Sequence, residues 1–271
     1  MKLPFLQIDA FAESPFTGNP AAVVRLPQWL DDRMLQAIAS ENNLSETAFL
    51  LAREPGVFDL RWFTPTTEVD LCGHATLASG HAVLTSEPGL DEVAFDTRSG
   101  RLTVRRTNDG CALTLPAIPA FEAEAPAAVV AALGRAPVQV MGIRDVHHAK
   151  YYLARFAMPS DVLALDPDVR ALGVMKTNVV CTAEAGAHED VDFVSRFFAP
   201  ASGVGEDPVT GSAHCTLAPF WVERLGKNPV VGFQRSARGG RVHCTVEDDR
   251  VVLRGSCTTV ITGTLHVDGE H

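Results

Sequence analysis

Two distant stretches of the chain resemble each other, and this constrains the fold more than any other feature. Residues 61–77 read "RWFTPTTEVDLCGHATL" and residues 196–217 read "RFFAPASGVGEDPVTGSAHCTL". Both begin Arg, aromatic, Phe, small, Pro, and both end His, small, Thr, Leu. Counted from Arg61 to Arg196 the offset is 135, and from His74 to His214 it is 140, so the second copy is five residues longer. The extra residues fall in the glycine-rich "SGVGEDPVTGS", which holds Glu206 and Asp207. A repeat of this length is a duplicated domain, not a solenoid. Two related lobes are expected.

The coarse pattern fits two lobes. "LPFLQID" and "AAVVRL" alternate as strands around the turn "SPFTGNP". "DDRMLQAIASE" carries Leu35, Ile38 and Ala39 on one helical face. "GVFDLRWF" reads as a strand, and "GHATLASGHAVL" as a helix apolar or small on nearly all sides, the mark of a buried central helix. Three short strands follow, "VAFDT", "GRLTVRRT" and "GCALTLP". The second half repeats the theme around the helix "GSAHCTLAPFWVERLG". Pro219 sits inside that helix, and a bend is expected there. The Pro- and Ala-rich segment 115–126 is the natural linker. The predicted fold is therefore α+β, with two pseudo-symmetric lobes, each a curved sheet around a central helix. The lobes span residues 1–116 and 117–271, with the last strand free to cross back to the first lobe.

The predicted central helices begin near Gly73 and Gly211. A helix N-terminus carries unpaired N–H groups and a partial positive charge. Two such ends facing one cleft would bind a small carboxylate without Lys or Arg. Ser212 is a good N-cap. Glu46, in "NNLSETAFLLAR", is the other notable group: an acid at the mouth of an apolar strand. An exposed edge explains it cheaply. So does acid/base catalysis, because a carboxylate desolvated among Leu44, Ala48 and Phe49 is a stronger base than one in water.

Composition excludes several classes of function. A net charge of -10 without Lys/Arg clusters disfavours nucleic acid. No run approaches a membrane span, and the N-terminus lacks the apolar region of a signal peptide. Six scattered cysteines without CxxC read as a reduced, cytoplasmic protein. His74, His81, His214 and the pair His147-His148 are available to a metal, yet no HExxH or i,i+4 histidine pair is present, so no metal is expected. The loop "GVGEDPVTGS" lacks the Lys of a phosphate loop, which argues against nucleotide. Asp207 is open to two readings: a turn cap before Pro208, or a group that holds His74 or the substrate.

Taken together, "DAFAESPFTGNPAAVV", "NNLSETAFL", "DLCGHATLASGHAVL" and "GEDPVTGSAHCTLAPFW" resemble the PhzF-like family of phenazine biosynthesis, which shares the diaminopimelate-epimerase fold. The resemblance covers nearly the whole chain. It implies an active site between the lobes, no cofactor, a homodimer and a small cyclic carboxylate substrate of the trans-2,3-dihydro-3-hydroxyanthranilate type. Carried over by motif, Glu46 is the general acid/base, with His74 and Asp207 as catalytic partners and Gly73, Gly211 and Ser212 contacting substrate. The true epimerases of this fold use one Cys from each lobe. Counting back two residues from each anchoring His places Cys72 opposite Ser212, so a two-thiol mechanism is disfavoured. The rivals are an epimerase or racemase of a small amino or hydroxy acid, and a member that binds a small molecule without turnover.

Overall fold

The computed structural model describes residues 1–144 and 150–267. Its chain forms two compact units: Met1–Leu115 with Arg254–His271, and Pro116–Leu253.

The first unit opens with β1 (Lys2–Ala10) and β2 (Asn19–Leu26), which pair antiparallel. Gly18 ends the turn between them at φ +66, and a Cβ there would lie 2.3 Å from the Ala10 carbonyl oxygen. Only glycine tolerates both conditions. Helix α1 (Asp32–Asn42) follows, capped by the Asp31 side chain on the Met34 N–H and stopped by Asn43 in a left-handed conformation. It buries Leu35, Ile38 and Ala39. The chain then enters β3 (Glu46–Glu54), parallel to β2, and turns into β4 (Val57–Phe63) and β5 (Glu68–Val69). Helix α2 (Gly73–Ser86) comes next, with its first three turns almost wholly buried. It packs on β1, β2 and β3, and on the strands that succeed it, β6 (Glu92–Thr97) and β7 (Gly100–Thr107). Strand β8 (Gly110–Pro116) completes this part. Gly80 sets the contact between α2 and β7: a Cβ there would stand 2.5 Å from the Val104 Cβ.

The second unit does not start with a free linker. Segment 115–126 carries β9 (Phe121–Glu122), which pairs with β10 (Gln139–Ile143). Between them lies a short helix, α3 (Ala127–Ala132), that the sequence pattern did not suggest. Then come β11 (Lys150–Arg155), α4 (Pro159–Leu163), α5 (Val169–Val174), β12 (Thr177–Glu184), β13 (Phe193–Ala199) and β14 (Val204–Asp207). Helix α6 (Gly211–Leu225) precedes β15 (Val230–Gln234), β16 (Gly240–Glu247) and β17 (Arg250–Gly255). Pro219 lies inside α6 and cannot donate to the carbonyl four residues back, that of Cys215. That carbonyl accepts the Ile118 N–H instead, at 3.0 Å. The supposed linker thus supplies the hydrogen bond that the proline removes. Trp221 of α6 is fully buried. It stacks on Phe193 at 5.8 Å and donates to Thr182 Oγ at 3.0 Å. The last strand, β18 (Cys257–His266), belongs to the first unit and pairs antiparallel with β1.

The strand pairing repeats between the units. β1–β2, β2–β3, β3–β4, β4–β5, β4–β6 and β6–β7 recur as β10–β11, β11–β12, β12–β13, β13–β14, β13–β15 and β15–β16, with parallel and antiparallel senses preserved. β1–β18 likewise matches β10–β9. An ion pair repeats too. Arg61 grips Glu68 through Nε and Nη2 at 2.7 and 2.8 Å, and Arg196 grips Glu206 at the same two distances.

These pairs correct the sequence alignment. Glu68 matches Glu206 and Gly73 matches Gly211, both at an offset of 138. The insertion is three residues in the β13–β14 turn, not five. His214 is the fourth residue of α6, whereas His74 is the second of α2. Matching the helix starts therefore sets Cys72 opposite Thr210, not Ser212. Among the described residues, no helix is long and apolar enough to cross a membrane.

Candidate functional site

The first unit gathers a polar cluster at the start of α2. Cys72 is the N-cap residue in extended conformation, so Gly73 and His74 begin the helix. The end of α1 delivers the chain through Asn43 into β3, whose first residue is Glu46. Glu46 Oε2 lies 3.0 Å from His74 Nε2. The two atoms are not aligned as a hydrogen bond, and each is buried with no other partner.

The other edge of the His74 ring is held. Asn19, fully buried at the start of β2, sets its amide Nδ2 at 3.1 Å from His74 Nδ1. The Ser45 hydroxyl donates to Asn19 Oδ1 at 2.9 Å. Cys72 Sγ also lies 3.5 Å from Nδ1.

Burial pushes the Cys72 thiol up to about 11, so it is protonated at neutral pH. Burial also resists charge on His74, while the neighbouring Cys72 sulfur and the Glu46 carboxylate raise its proton affinity well above that of an exposed histidine. With the thiol protonated, the charge that acts on the ring is that of Glu46.

The second unit places Asp207, Gly211 and Ser212 together at the start of α6. Thr210, not Ser212, is the N-cap. Its hydroxyl donates to Asp207 Oδ2. Its N–H donates to Gln234 Oε1 at 2.9 Å, and Gln234 Nε2 donates to the Asp207 carbonyl at 2.7 Å. Gly211 is buried and Ser212 exposed in the first turn. His214 lies deeper, with Nδ1 2.8 Å from the Thr210 carbonyl. Burial lowers it to about 4, so its ring is neutral, with Nδ1–H as the donor. Cys215 is buried and its thiol is pushed up to about 12, which leaves it inert.

Glu46, Cys72 and His74 also form a possible metal donor set, with ligand atoms all within 4.8 Å of one another. An imidazole binds a metal through one nitrogen. Here the carboxylate oxygen lies 3.0 Å from Nε2 and the thiol sulfur 3.5 Å from Nδ1. The His147-His148 pair lies outside the described residues.

Comparison with known proteins decides the family. The model of the phenazine biosynthesis-like protein family matches residues 8–263. The chain belongs to this family. An uncharacterized isomerase of Pseudomonas aeruginosa is 47% identical over 98% of this chain and 100% of its own length. The human phenazine biosynthesis-like domain-containing protein is 38% identical over 98% of this chain and 99% of its own. The crystal structure of a PhzF-family protein from Enterococcus faecalis superposes with a TM-score of 0.88 at 37% identity, covering 98% of this chain and 100% of that one. A hydroxyproline epimerase from Agrobacterium vitis shares the fold, with a TM-score of 0.58 at 12% identity over 99% of this chain and 93% of that one.

Within this PhzF-like frame, sequence reasoning missed Asn19, Ser45 and Gln234. Asn19 stands in the turn-like "TGNP", where Asn and Gly read as loop formers. Ser45 is adjacent to Glu46 but carried no separate signal. Gln234 ends an apolar strand and has no local signature at all.

Proposed function

We propose that the protein is a cofactor-independent isomerase that moves a proton between two carbons of a small cyclic carboxylate, with Glu46 as its acid/base. The observation that carries this reading is the approach of Glu46 Oε2 to His74 Nε2 at 3.0 Å, in a buried setting where both atoms lack other partners. A buried pair with open valences at a helix start suits proton transfer. The step is redox-neutral. A C–H bond breaks, its electron pair enters the substrate's conjugated system, and an O–H bond forms on Glu46. That O–H then breaks as a new C–H bond forms on the second carbon. The N–H groups at the start of α2 suit the substrate carboxylate or the developing enolate. The resemblance adds Asp207, Gly211 and Ser212 as substrate contacts. The relatives named isomerases support the reaction class.

The epimerase reading asks for a second thiol. At the α6 position that matches Cys72, this chain has Thr210. A hydroxyl engaged with a carboxylate is no substitute for a thiolate at neutral pH.

The test is incubation of candidate cyclic dihydro acids with enzyme in D2O, followed by mass spectrometry. Rearranged, deuterated product that Glu46→Gln abolishes is expected. Exchange with inversion and no rearrangement would favour the epimerase. A ligand that binds but neither exchanges nor rearranges would favour a binding protein.

A further inference from the structure

Of the two polar groups that face each other at the start of α2, either could in principle take a proton from carbon. We propose that Asn19 is a positioning residue that sets the tautomer of the His74 ring whenever that ring is neutral, with the hydrogen on Nε2; Nε2 then carries a hydrogen in the charged and the neutral form alike, which leaves Glu46 as the base.

Two contacts at Nδ1 carry the argument. Asn19 Nδ2, an N–H donor, lies 3.1 Å from His74 Nδ1. The Cys72 sulfur is 3.5 Å from the same nitrogen, and its S–H can donate there, while as an acceptor it is weak. A ring with hydrogen on Nδ1 would face the amide N–H donor and have only a weak sulfur acceptor. His74 is 4% exposed, so water does not replace them. A buried donor left without an acceptor is expensive, about 1–3 kcal/mol. Nδ1 is therefore the acceptor, and the neutral ring carries its hydrogen on Nε2, 3.0 Å from Glu46 Oε2.

The other end of the amide also has a partner. Ser45 Oγ donates to Asn19 Oδ1 at 2.9 Å. Asn19 is 0% exposed, so its amide is satisfied by protein groups. Ser45 precedes Glu46 directly, so one short stretch of chain delivers both the base and the hydroxyl that aims the amide. Gly18, which cannot carry a side chain against the Ala10 carbonyl, places Asn19 at the start of β2. The consequence for the proposed reaction, on which this inference builds, is a division of labour. His74 Nε2 has no lone pair to accept a proton from carbon, and Glu46 does.

The test is long-range proton–nitrogen NMR correlation on the full-length, nitrogen-15-labelled protein, from about pH 5 to about pH 10. The His74 signals are identified by their loss in His74→Gln. In the neutral limb, the expected pattern is a bare Nδ1 and a protonated Nε2. Asn19→Asp offers a carboxylate to Nδ1. It is expected to move the hydrogen to Nδ1 and to raise the His74 titration midpoint by at least about one pH unit. Ser45→Ala, a milder change that keeps the buried Asn19, is expected to yield a mixture of tautomers. A wild-type ring with hydrogen on Nδ1 would overturn the proposal, even if Asn19→Asp fails to fold. So would a folded Asn19→Asp with an unchanged tautomer. None of these readouts needs substrate. Full turnover by Glu46→Gln would refute the proposed function and leave the tautomer result standing.

Discussion

At the scale of single residues, the two histidines that looked equivalent in the sequence do opposite things. His74 sits at a helix start between a carboxylate and an amide, whereas His214 lies one turn inside α6, neutral, against Phe193. Their surroundings shift them in opposite directions. His214 falls to about 4 because burial penalises its charged form. In the unfolded chain a histidine protonates below about 6.5. The His214 contribution to stability is thus fully present above about pH 6.5 and is lost as the pH falls toward about 4, by up to about 3 kcal/mol. His214→Gln should flatten that limb of a denaturant-melt series against pH, and an unchanged slope would contradict the assignment. For His74 the sign reverses. Its contribution is present below about pH 6.5 and is lost as the pH rises through its raised value. The acid at the mouth of β3 was legible because Glu46 stands alone in an apolar run. The amide and hydroxyl behind it were not, because Asn19 in a Gly-Asn-Pro turn and Ser45 between a helix end and a strand have ordinary local explanations.

At the scale of elements, the buried helices were the clearest part of the sequence, and what pins them was the least clear. Helix α2 reads as apolar or small on every side, and the structure buries it accordingly. Its glycine is a packing residue. Helix propensity alone predicts that Gly80→Ala stabilises by about 1 kcal/mol. The contact with Val104 predicts the reverse, since an added methyl would lie 2.5 Å from its Cβ. Overpacking of this kind costs about 1–3 kcal/mol, so a net loss of about 1 kcal/mol is expected in denaturant melts. A rise in stability would show that β7 yields freely. Arg196 fastens a different element. Besides Glu206 it donates to the Leu165 carbonyl at 2.7 Å, just beyond α4. Arg196→Met leaves Glu206 half-buried and alone, and a loss of about 2–3 kcal/mol is expected. A loss below about 0.5 kcal/mol would place it with ordinary surface pairs. Arg196 stood out as an anchor of the repeat, but its pairing with Glu206 was not legible, because Glu206 lay in a glycine-rich loop that read as an insertion.

At the scale of the whole molecule, the duplication is the organising fact. The matched anchors "RWFTP" and "RFFAP" disclosed it, and the strand pairing repeats through both units. The register at the helix starts was misread for a physical reason. Two histidines followed by Thr-Leu suggested an alignment, but the true equivalence follows the Arg–Glu pair and the glycine at each helix start, which sequence identity alone does not weight. The corrected register sets one thiol, Cys72, against a threonine. On the proposed function, a site without a pair of thiols leaves Glu46 to carry the proton. The most direct measurement of that claim uses a substrate deuterated at the carbon that loses its hydrogen, turned over in ordinary water. A single-base shuttle by Glu46 predicts that part of the deuterium reappears on the second carbon of the product, and that Glu46→Gln abolishes turnover. Product from the wild type with no retained deuterium, together with wild-type turnover by Glu46→Gln, would contradict it.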